Sequence, residues 1–154
     1  MIQILPEAVQ CNIKVSSQEE LFDVMSTPLV QAGKVKPDFS CHVLDREQRF
    51  PTGLPFDSFG AAIPHTDPEN VISPSIAVAT LQDPVDFQVM GSPELNVAVS
   101  LVFMLALDDG HAHIKFLQQI VRLAQDKEKV SELFSAKNNR DLFQSVKRFL
   151  EIEE

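Results

Sequence analysis

The chain has 154 residues, of which 44% are hydrophobic and 23% are charged, and its formal net charge at pH 7 is −9. This length suits a single domain over residues 1–154, and the apolar content excludes a disordered tail because it can fill a core. No apolar run approaches the roughly 20 residues that a membrane helix needs, and the acidic balance argues against a nucleic acid as partner.

The cysteines and the first residues indicate a reducing compartment. Cys11 and Cys41 have neither metal-ligand spacing nor a disulfide-rich context, so we expect free thiols. Residues 1–6 lack the positive charge and apolar length of a signal peptide. These features predict a soluble protein of the cytoplasm.

A short strand-like start is followed by helical signals. Ser17 and Glu20 have the spacing of a capping box at a helix N-terminus. Pro28 suits the first turn of a further helix, and Gly33 suits its C-terminal cap. The first half of the chain is therefore predicted to be mainly helical.

Pro37 is placed to open another helix, in which Phe39 and Val43 are expected to face inward. His42 lies on the same helix and is interpreted as a packed or solvated side chain rather than a functional one. The stretch FPTGLPFDSFG, residues 50–60, is dense in proline and glycine and is predicted to be a loop.

From residue 61 the periodicity changes from that of helices to that of strands. Residues 96–107 are apolar on both faces, which predicts a central strand in a sheet covered by helices on each side. The other predicted features are a strand edge at 61–65, a strand at 76–82, and a short run at 85–89 between Pro84 and a turn at 90–94.

The last third of the chain has helical periodicity. The predicted inward faces comprise Ile114, Leu117, Ile120, Val121 and Ala124, then Val130, Leu133 and Phe134, and finally Leu142, Phe143, Val146, Phe149 and Leu150. Helices, strands and helices around one sheet make an α/β fold, for which we expect mixed strand directions.

His65 stands directly after Pro64, where the strand edge is predicted to end. Proline restricts its own φ and the residue before it, so His65 is expected in a loop at the exit of a rigid sheet. Binding and catalytic residues are often found in that position. On this stretch alone, a half-buried structural histidine remains an alternative.

A second pair of histidines, His111 and His113, follows the apolar strand and begins a helix. Two strand exits would bring histidines to one end of the sheet, next to a helix N-terminus. Because the free N–H groups of a helix N-terminus attract anions, this arrangement indicates chemistry on an anion.

Other chemistries fit the sequence less well. Zinc would need His65, His111 and His113 together, without the usual ligand spacing. Neither a nucleophile elbow nor a phosphate-cradling glycine loop is present, which disfavours a catalytic triad and direct nucleotide binding. A histidine that itself accepts a phosphoryl group remains.

Four stretches carry a resemblance to a known family: REQRFPTGL (46–54), GAAIPHTD (60–67), SLVFMLAL (100–107) and HIKFLQQIVRLAQD (113–126). In this order they resemble the enzyme IIA component of the bacterial phosphoenolpyruvate-dependent sugar phosphotransferase system. The resemblance is to its fructose/mannitol-type class, and within that class most to the galactitol-specific branch. It implies a single α/β domain with a mixed, mostly parallel sheet of about five strands and helices on both faces.

The resemblance also implies residue roles. His65 would be the phosphoryl acceptor, with Arg46 and His113 as its catalytic partners. Arg49 and His111, which lie close to those two in sequence, are the alternative residues for a supporting role. Thr66 and Asp67 either orient the ring of His65 or cap a turn, and local capping is favoured because Thr and Asp commonly bond nearby backbone.

The family's partners are implied in the same way. The protein would receive the phosphoryl group from the histidine carrier protein HPr and pass it to a cysteine of a IIB component, which serves sugar uptake through a membrane IIC component. No metal, nucleotide or other cofactor is implied, and a monomer with an acidic surface is expected to meet a basic carrier face. Phe50, Phe56 and Phe59 would form an apolar docking rim or pack in the core.

The alternative to a role in sugar transport is a regulatory enzyme IIA of the nitrogen-related type, which binds target proteins according to the phosphorylation state of His65.

Overall fold

The computed structural model describes residues 2–108 and 112–150, with the backbone alone at 112 and 113. The elements are β1 (Gln3–Ile13), α1 (Gln18–Gln31), α2 (Phe39–Arg49), β2 (Gly53–Pro55), β3 (Gly60–Ala62), a 3₁₀ turn (Pro68–Asn70), β4 (Ser75–Val89), β5 (Ser92–Ala106), α3 (Ala112–Gln125), α4 (Lys127–Ser135) and α5 (Asn139–Leu150). Of the helices in these described ranges, none has the length and apolar character needed to cross a bilayer.

The strands form one mixed sheet, as predicted. Strand β4 pairs in parallel with β1 and, at its far end, with β2, and β3 pairs in parallel with β5. The longest ladder is nevertheless antiparallel, because β4 and β5 form a hairpin that turns at Gly91, whose φ is +79°. The short strands β2 and β3 form a second antiparallel pair.

Strand β5 carries apolar side chains on both of its faces, and each face is covered. Val102 and Met104 lie in a core cluster with side chains of α1 and α2. Leu101, Phe103 and Leu105 lie in a second cluster with side chains of α3, α4 and α5. The prediction of a strand between two helical layers is confirmed.

Helix α1 begins as predicted but does not break at Pro28. The hydroxyl of Ser17 accepts a hydrogen bond from the Glu20 N–H at 3.1 Å. Pro28 lies inside the helix, where it cannot donate to the carbonyl of Val24. The side-chain amide of Gln10 on β1 donates to that carbonyl at 3.0 Å, so the missing bond is replaced and the helix continues to Gln31.

The end of α1 agrees with the sequence. Gly33 has φ of +71° and follows the cap residue Ala32. Its N–H bonds the carbonyl of Val30, and the Lys34 N–H bonds the carbonyl of Leu29. This is the Schellman arrangement, in which glycine accommodates the left-handed residue.

The predicted loop at 50–60 contains the strands β2 and β3. Gly53 and Gly60 allow this hairpin to lie against the sheet, because an added Cβ would sit 2.5 Å from the carbonyl oxygen of Gln88 and 2.4 Å from that of Ala98, respectively.

Pro84 does not end a strand, in contrast to the prediction. It lies in an exposed irregularity of β4, between the register positions Thr80 and Val85, where a proline needs no ladder partner.

One prediction of side-chain direction needs correction. On α3 the buried side chains are Phe116, Ile120, Leu123 and Ala124. Ile114 is 62% exposed, and Leu117 and Val121 are half-buried, because the helix packs on the sheet through the face that contains Phe116. On α2, Phe39 and Val43 are buried as predicted. His42 is exposed and contacts Asp38 at 2.9 Å, which agrees with its interpretation as a solvated side chain.

The remaining helices agree with the periodicity apart from one side chain. Val130 and Leu133 of α4 are buried, and so are four apolar residues of α5, while Phe149 packs against the same core as a partly buried side chain. Phe134 is 39% exposed. Cys11 and Cys41 are free thiols.

Candidate functional site

His65 lies three residues after the end of β3, beside the last residues of β5. The carbonyl of Pro64 accepts a hydrogen bond from the Leu105 N–H at 2.9 Å, and His65 forms an isolated parallel bridge with Leu105. The β3 segment itself is buried, whereas the His65 side chain is half-buried. The ring is therefore held on a fixed backbone at the edge of the sheet, where a partner can reach it.

A short contact determines which ring nitrogen carries the proton. Nδ1 of His65 lies 2.8 Å from the carbonyl oxygen of Ile63. A carbonyl oxygen only accepts, so in the neutral ring Nδ1 is the donor and Nε2 keeps its lone pair. The structure thus leaves Nε2 as the nucleophilic nitrogen.

The surroundings also keep this ring neutral. Burial is the largest effect, and it lowers the pKa of His65 from its ordinary value of 6.5. The charge of Arg46 also lowers this pKa, whereas the bond to the Ile63 carbonyl and the charge of Asp67 raise it. The net direction is downward. A neutral imidazole near pH 7 is the form that can attack an electrophile.

Arg46, near the end of α2, is the arginine that the structure brings to the His65 loop. Its Nη1 donates to Oδ1 of Asp67 at 3.3 Å, and its guanidinium lies 5.0 Å from the centre of the Phe50 ring. Its Nε is buried and has no hydrogen-bond partner among the described residues. A guanidinium with an unused donor next to an imidazole is suited to an anion with several oxygens.

Arg49 also lies near Phe50, with its guanidinium 5.8 Å from the ring centre, but it forms a different ion pair from Arg46. Its Nη2 donates to Asp45 at 2.8 Å, one turn earlier on the same helix, and both side chains are well exposed. Such exposed pairs contribute little to stability.

Thr66 and Asp67 differ in what they contact. The buried hydroxyl of Thr66 accepts a hydrogen bond from the side-chain amide of Asn70 at 3.4 Å, which is a local bond of the expected kind. Asp67 occupies the N-cap position of the 3₁₀ turn, but its side chain makes no capping bond. Its carboxylate contacts Arg46 instead, so the predicted capping by this side chain is not observed.

The downstream histidines fall largely outside the described residues. His111 is not among them, and His113 is described only as backbone in the first turn of α3. Within the described residues, no three His, Cys, Asp or Glu side chains gather as metal ligands.

The three phenylalanines divide between the two predicted roles. Phe50 is 55% exposed beside Arg46. Phe56 and Phe59 stack on each other with ring centres 5.2 Å apart, and Phe59 meets the ring of Phe134 edge-on. Phe50 therefore lies at the rim of the site, and the other two pack between the β2–β3 hairpin and α4.

Glu47 is a residue of this region that the sequence analysis left without a role. Its side chain is buried, and its two oxygens accept from the N–H and the hydroxyl of Thr52, each at 2.7 Å. Burial raises the pKa of this carboxyl, while the two bonds to Thr52 oppose the change. The pair joins α2 to the start of β2 and so holds the helical turn that carries Arg46. The only signal for it in the sequence is the five-residue spacing between an acid and a threonine.

We expect Glu47→Ala to lower the free energy of unfolding by about 1–3 kcal/mol, because the N–H and hydroxyl of Thr52 would be buried without an acceptor. Urea unfolding followed by circular dichroism measures this. Glu94→Ala, at an exposed position of β5, is the matched control and should leave the free energy nearly unchanged. Equal effects of the two variants would show that the Glu47–Thr52 contact is not stabilising.

The chain is similar to known phosphotransferase proteins. It is 31% identical over 135 residues to the PTS system fructose-specific EIIABC component of Bacillus subtilis, a match that covers 84% of this chain but 20% of that protein. The chain thus spans about a fifth of the length of that relative.

Solved structures of low sequence identity share the fold. The complex of enzyme IIAMTL and phosphorylated enzyme IIBMTL from Escherichia coli matches with a TM-score of 0.76 at 19% identity, covering 98% of this chain and 99% of that one. The nitrogen regulatory protein IIA-Ntr from Neisseria meningitidis matches with a TM-score of 0.75 at 21% identity, covering 96% and 95%. The pattern of the family "phosphoenolpyruvate-dependent sugar phosphotransferase system, EIIA 2" matches residues 3–149. The chain therefore belongs to the EIIA 2 family of the phosphoenolpyruvate-dependent sugar phosphotransferase system.

Proposed function

We propose that this protein is a phosphocarrier that takes a phosphoryl group onto Nε2 of His65 and passes it to a partner protein. The observation that carries the proposal is the bond from Nδ1 of His65 to the Ile63 carbonyl, which leaves Nε2 unprotonated. Membership of the EIIA 2 family supports the same chemistry.

The transfer needs no group beyond the two proteins. The lone pair of Nε2 attacks the phosphorus of phosphohistidine on HPr, and the N–P bond of the donor breaks as its electron pair returns to the donor imidazole. In the onward step a cysteine thiolate of a IIB component attacks the same phosphorus, and the electron pair of the new N–P bond returns to Nε2.

Arg46 is the residue we assign to charge stabilisation. During transfer, negative charge spreads over the three equatorial oxygens of the phosphoryl group, and donors that already lie in place stabilise it. Arg46 has a buried donor with no partner among the described residues, and its charge acts on the His65 ring. His113, in the first turn of α3, would approach the same oxygens from the other strand exit, together with N–H groups of that helix.

The partners follow from the family. We infer HPr as donor and a IIB component as acceptor, with a membrane IIC component served indirectly, in the cytoplasm and as a monomer. The substrate class is a sugar or sugar alcohol, and the PTGL and TDPE stretches favour a galactitol-like one through resemblance alone. The complex of enzyme IIAMTL with phosphorylated enzyme IIBMTL supports transfer to a IIB partner, since the fold is shared.

A regulatory role is the second candidate. The similarity to the nitrogen regulatory protein IIA-Ntr supports it only weakly, because at 21% identity that similarity shows the fold alone. Mixing the phosphorylated protein with IIB components separates the two candidates. Loss of the phosphoryl group to a IIB cysteine favours transport, whereas retention of the group with every IIB of the same organism favours regulation.

The pH dependence follows from the direction of the His65 pKa. Because this pKa lies below 6.5, the ring stays neutral as the pH falls through 6.5, and the rate of phosphoryl uptake should decline only at lower pH. A nuclear magnetic resonance titration of the ring protons gives the pKa directly, and uptake from preformed phospho-HPr gives the rate. A midpoint at or above 6.5 for His65 would contradict the burial argument.

A further inference from the structure

Arg46 would interact with two negatively charged groups once His65 is phosphorylated. Asp67, two residues after His65, contacts it in the unphosphorylated protein. The phosphoryl group would arrive on the ring next to the same guanidinium, whose charge already acts on that ring. The two anions would therefore share one cation.

The existing contact is well suited to release. It is a single hydrogen bond of 3.3 Å, and the Asp67 side chain is 59% exposed, so water can replace Arg46 at little cost. Arg46 is more enclosed, at 31% exposure, and its buried Nε lacks a partner in the described structure. A phosphoryl group, with three oxygens and nearly two negative charges, would satisfy more of these donors than one carboxylate oxygen does.

We propose that Asp67 is a positioning residue that competes with the phosphoryl group for Arg46 and thereby keeps that group transferable. In the unphosphorylated protein it holds Arg46 beside His65. After transfer its negative charge faces that of the phosphoryl group and raises the free energy of the phosphorylated form. The inference rests on the proposed function of His65.

The effect should be modest. Exposed ion pairs and like charges in high dielectric change equilibria by small amounts, so we expect a change of roughly two- to fivefold. Removal of the Asp67 charge should shift the phosphoryl equilibrium with HPr towards this protein by that factor. The same change should slow onward transfer to a IIB component.

The test compares Asp67→Asn with Asp45→Asn. Both variants lose one carboxylate in an exposed arginine pair, but Asp45 pairs with Arg49 and not with Arg46. Each protein is equilibrated with known ratios of phospho-HPr and HPr, and the phosphorylated fraction is read by intact-mass spectrometry. We expect the equilibrium constant to rise two- to fivefold in Asp67→Asn and to stay at the parent value in Asp45→Asn.

A second measurement separates an electrostatic role from a structural one. Because Asp67 raises the pKa of His65, its neutralisation should lower that pKa further, whereas Asp45→Asn should leave it unchanged. An Asp67→Asn variant that keeps the parent equilibrium, or holds less phosphoryl group, overturns the inference while phosphorylation of the parent upholds the function of His65. A parent protein that takes no phosphoryl group from phospho-HPr overturns both.

Discussion

Incubation with enzyme I, HPr and phosphoenolpyruvate is expected to place one acid-labile phosphoryl group on this protein and none on its His65→Ala variant. The reason is the proposed role of Nε2 of His65 as the nucleophile, since Nδ1 of the same ring donates to the Ile63 carbonyl. Intact-mass spectrometry at neutral and acid pH measures both the group and its lability. The expected effect is a complete loss, because the substitution removes the lone pair of Nε2 that attacks the phosphorus.

His42→Ala is the matched control for this experiment. It makes the same substitution at an exposed histidine of α2 whose ring contacts Asp38, so it should be phosphorylated like the parent. A known IIA protein in a parallel tube shows that the donors are active. A phosphoryl group on His65→Ala, or its absence from the parent when the known IIA is labelled, would contradict the assignment.

Replacement of Arg46 by alanine is expected to slow phosphoryl uptake by about 10²–10³-fold, the usual cost of removing one preorganised donor from a developing anion. The cause is the loss of the guanidinium that contacts Asp67 and whose charge acts on the His65 ring, together with its buried Nε, which lacks a partner among the described residues. Rapid-quench measurement of transfer from phospho-HPr gives the rate. Measuring this rate at saturating phospho-HPr shows whether the substitution has slowed phosphoryl transfer itself or the binding of the two proteins.

Arg49→Ala provides the control for Arg46→Ala. It removes the same charge one turn along α2, where the side chain contacts Asp45 and lies outside the His65 loop. We expect its transfer rate to stay close to that of the parent. Arg46→Lys should recover part of the loss, because an ammonium keeps the charge but not the planar fork of donors. Equal losses in Arg46→Ala and Arg49→Ala would show that net charge, and not the position of Arg46, is what matters.

Local signals in the sequence predicted the features that depend on neighbouring residues. The Ser17 cap and the glycine after α1 satisfy backbone groups within a few residues, so their patterns can be read directly. The apolar run ending at Leu107 predicted a strand buried on both faces, because consecutive apolar residues in a strand point to opposite sides of the sheet.

Features that depend on distant partners could not be predicted in the same way. Helix α1 continues through Pro28 because Gln10, far away on β1, donates to the carbonyl that Pro28 leaves unpaired. The β2–β3 hairpin forms in a stretch rich in proline and glycine because its glycines allow close approach to β4 and β5. Helix α3 offers two overlapping apolar stripes, and contact with the sheet selects the one that contains Phe116.

In the candidate site, too, some features depend on neighbouring residues and others on distant ones. The sequence by itself was enough to propose His65 as the reactive residue and to show the family resemblance around it, because the short strand, the proline and the histidine are contiguous. Only the tertiary structure decided that Arg46 contacts Asp67 in the His65 loop whereas Arg49 pairs with Asp45. It also decided that Glu47 joins the helical turn of Arg46 to Thr52. The physical reason is that helical rotation and loop closure set the direction of side chains, and both depend on packing between segments that are remote in sequence.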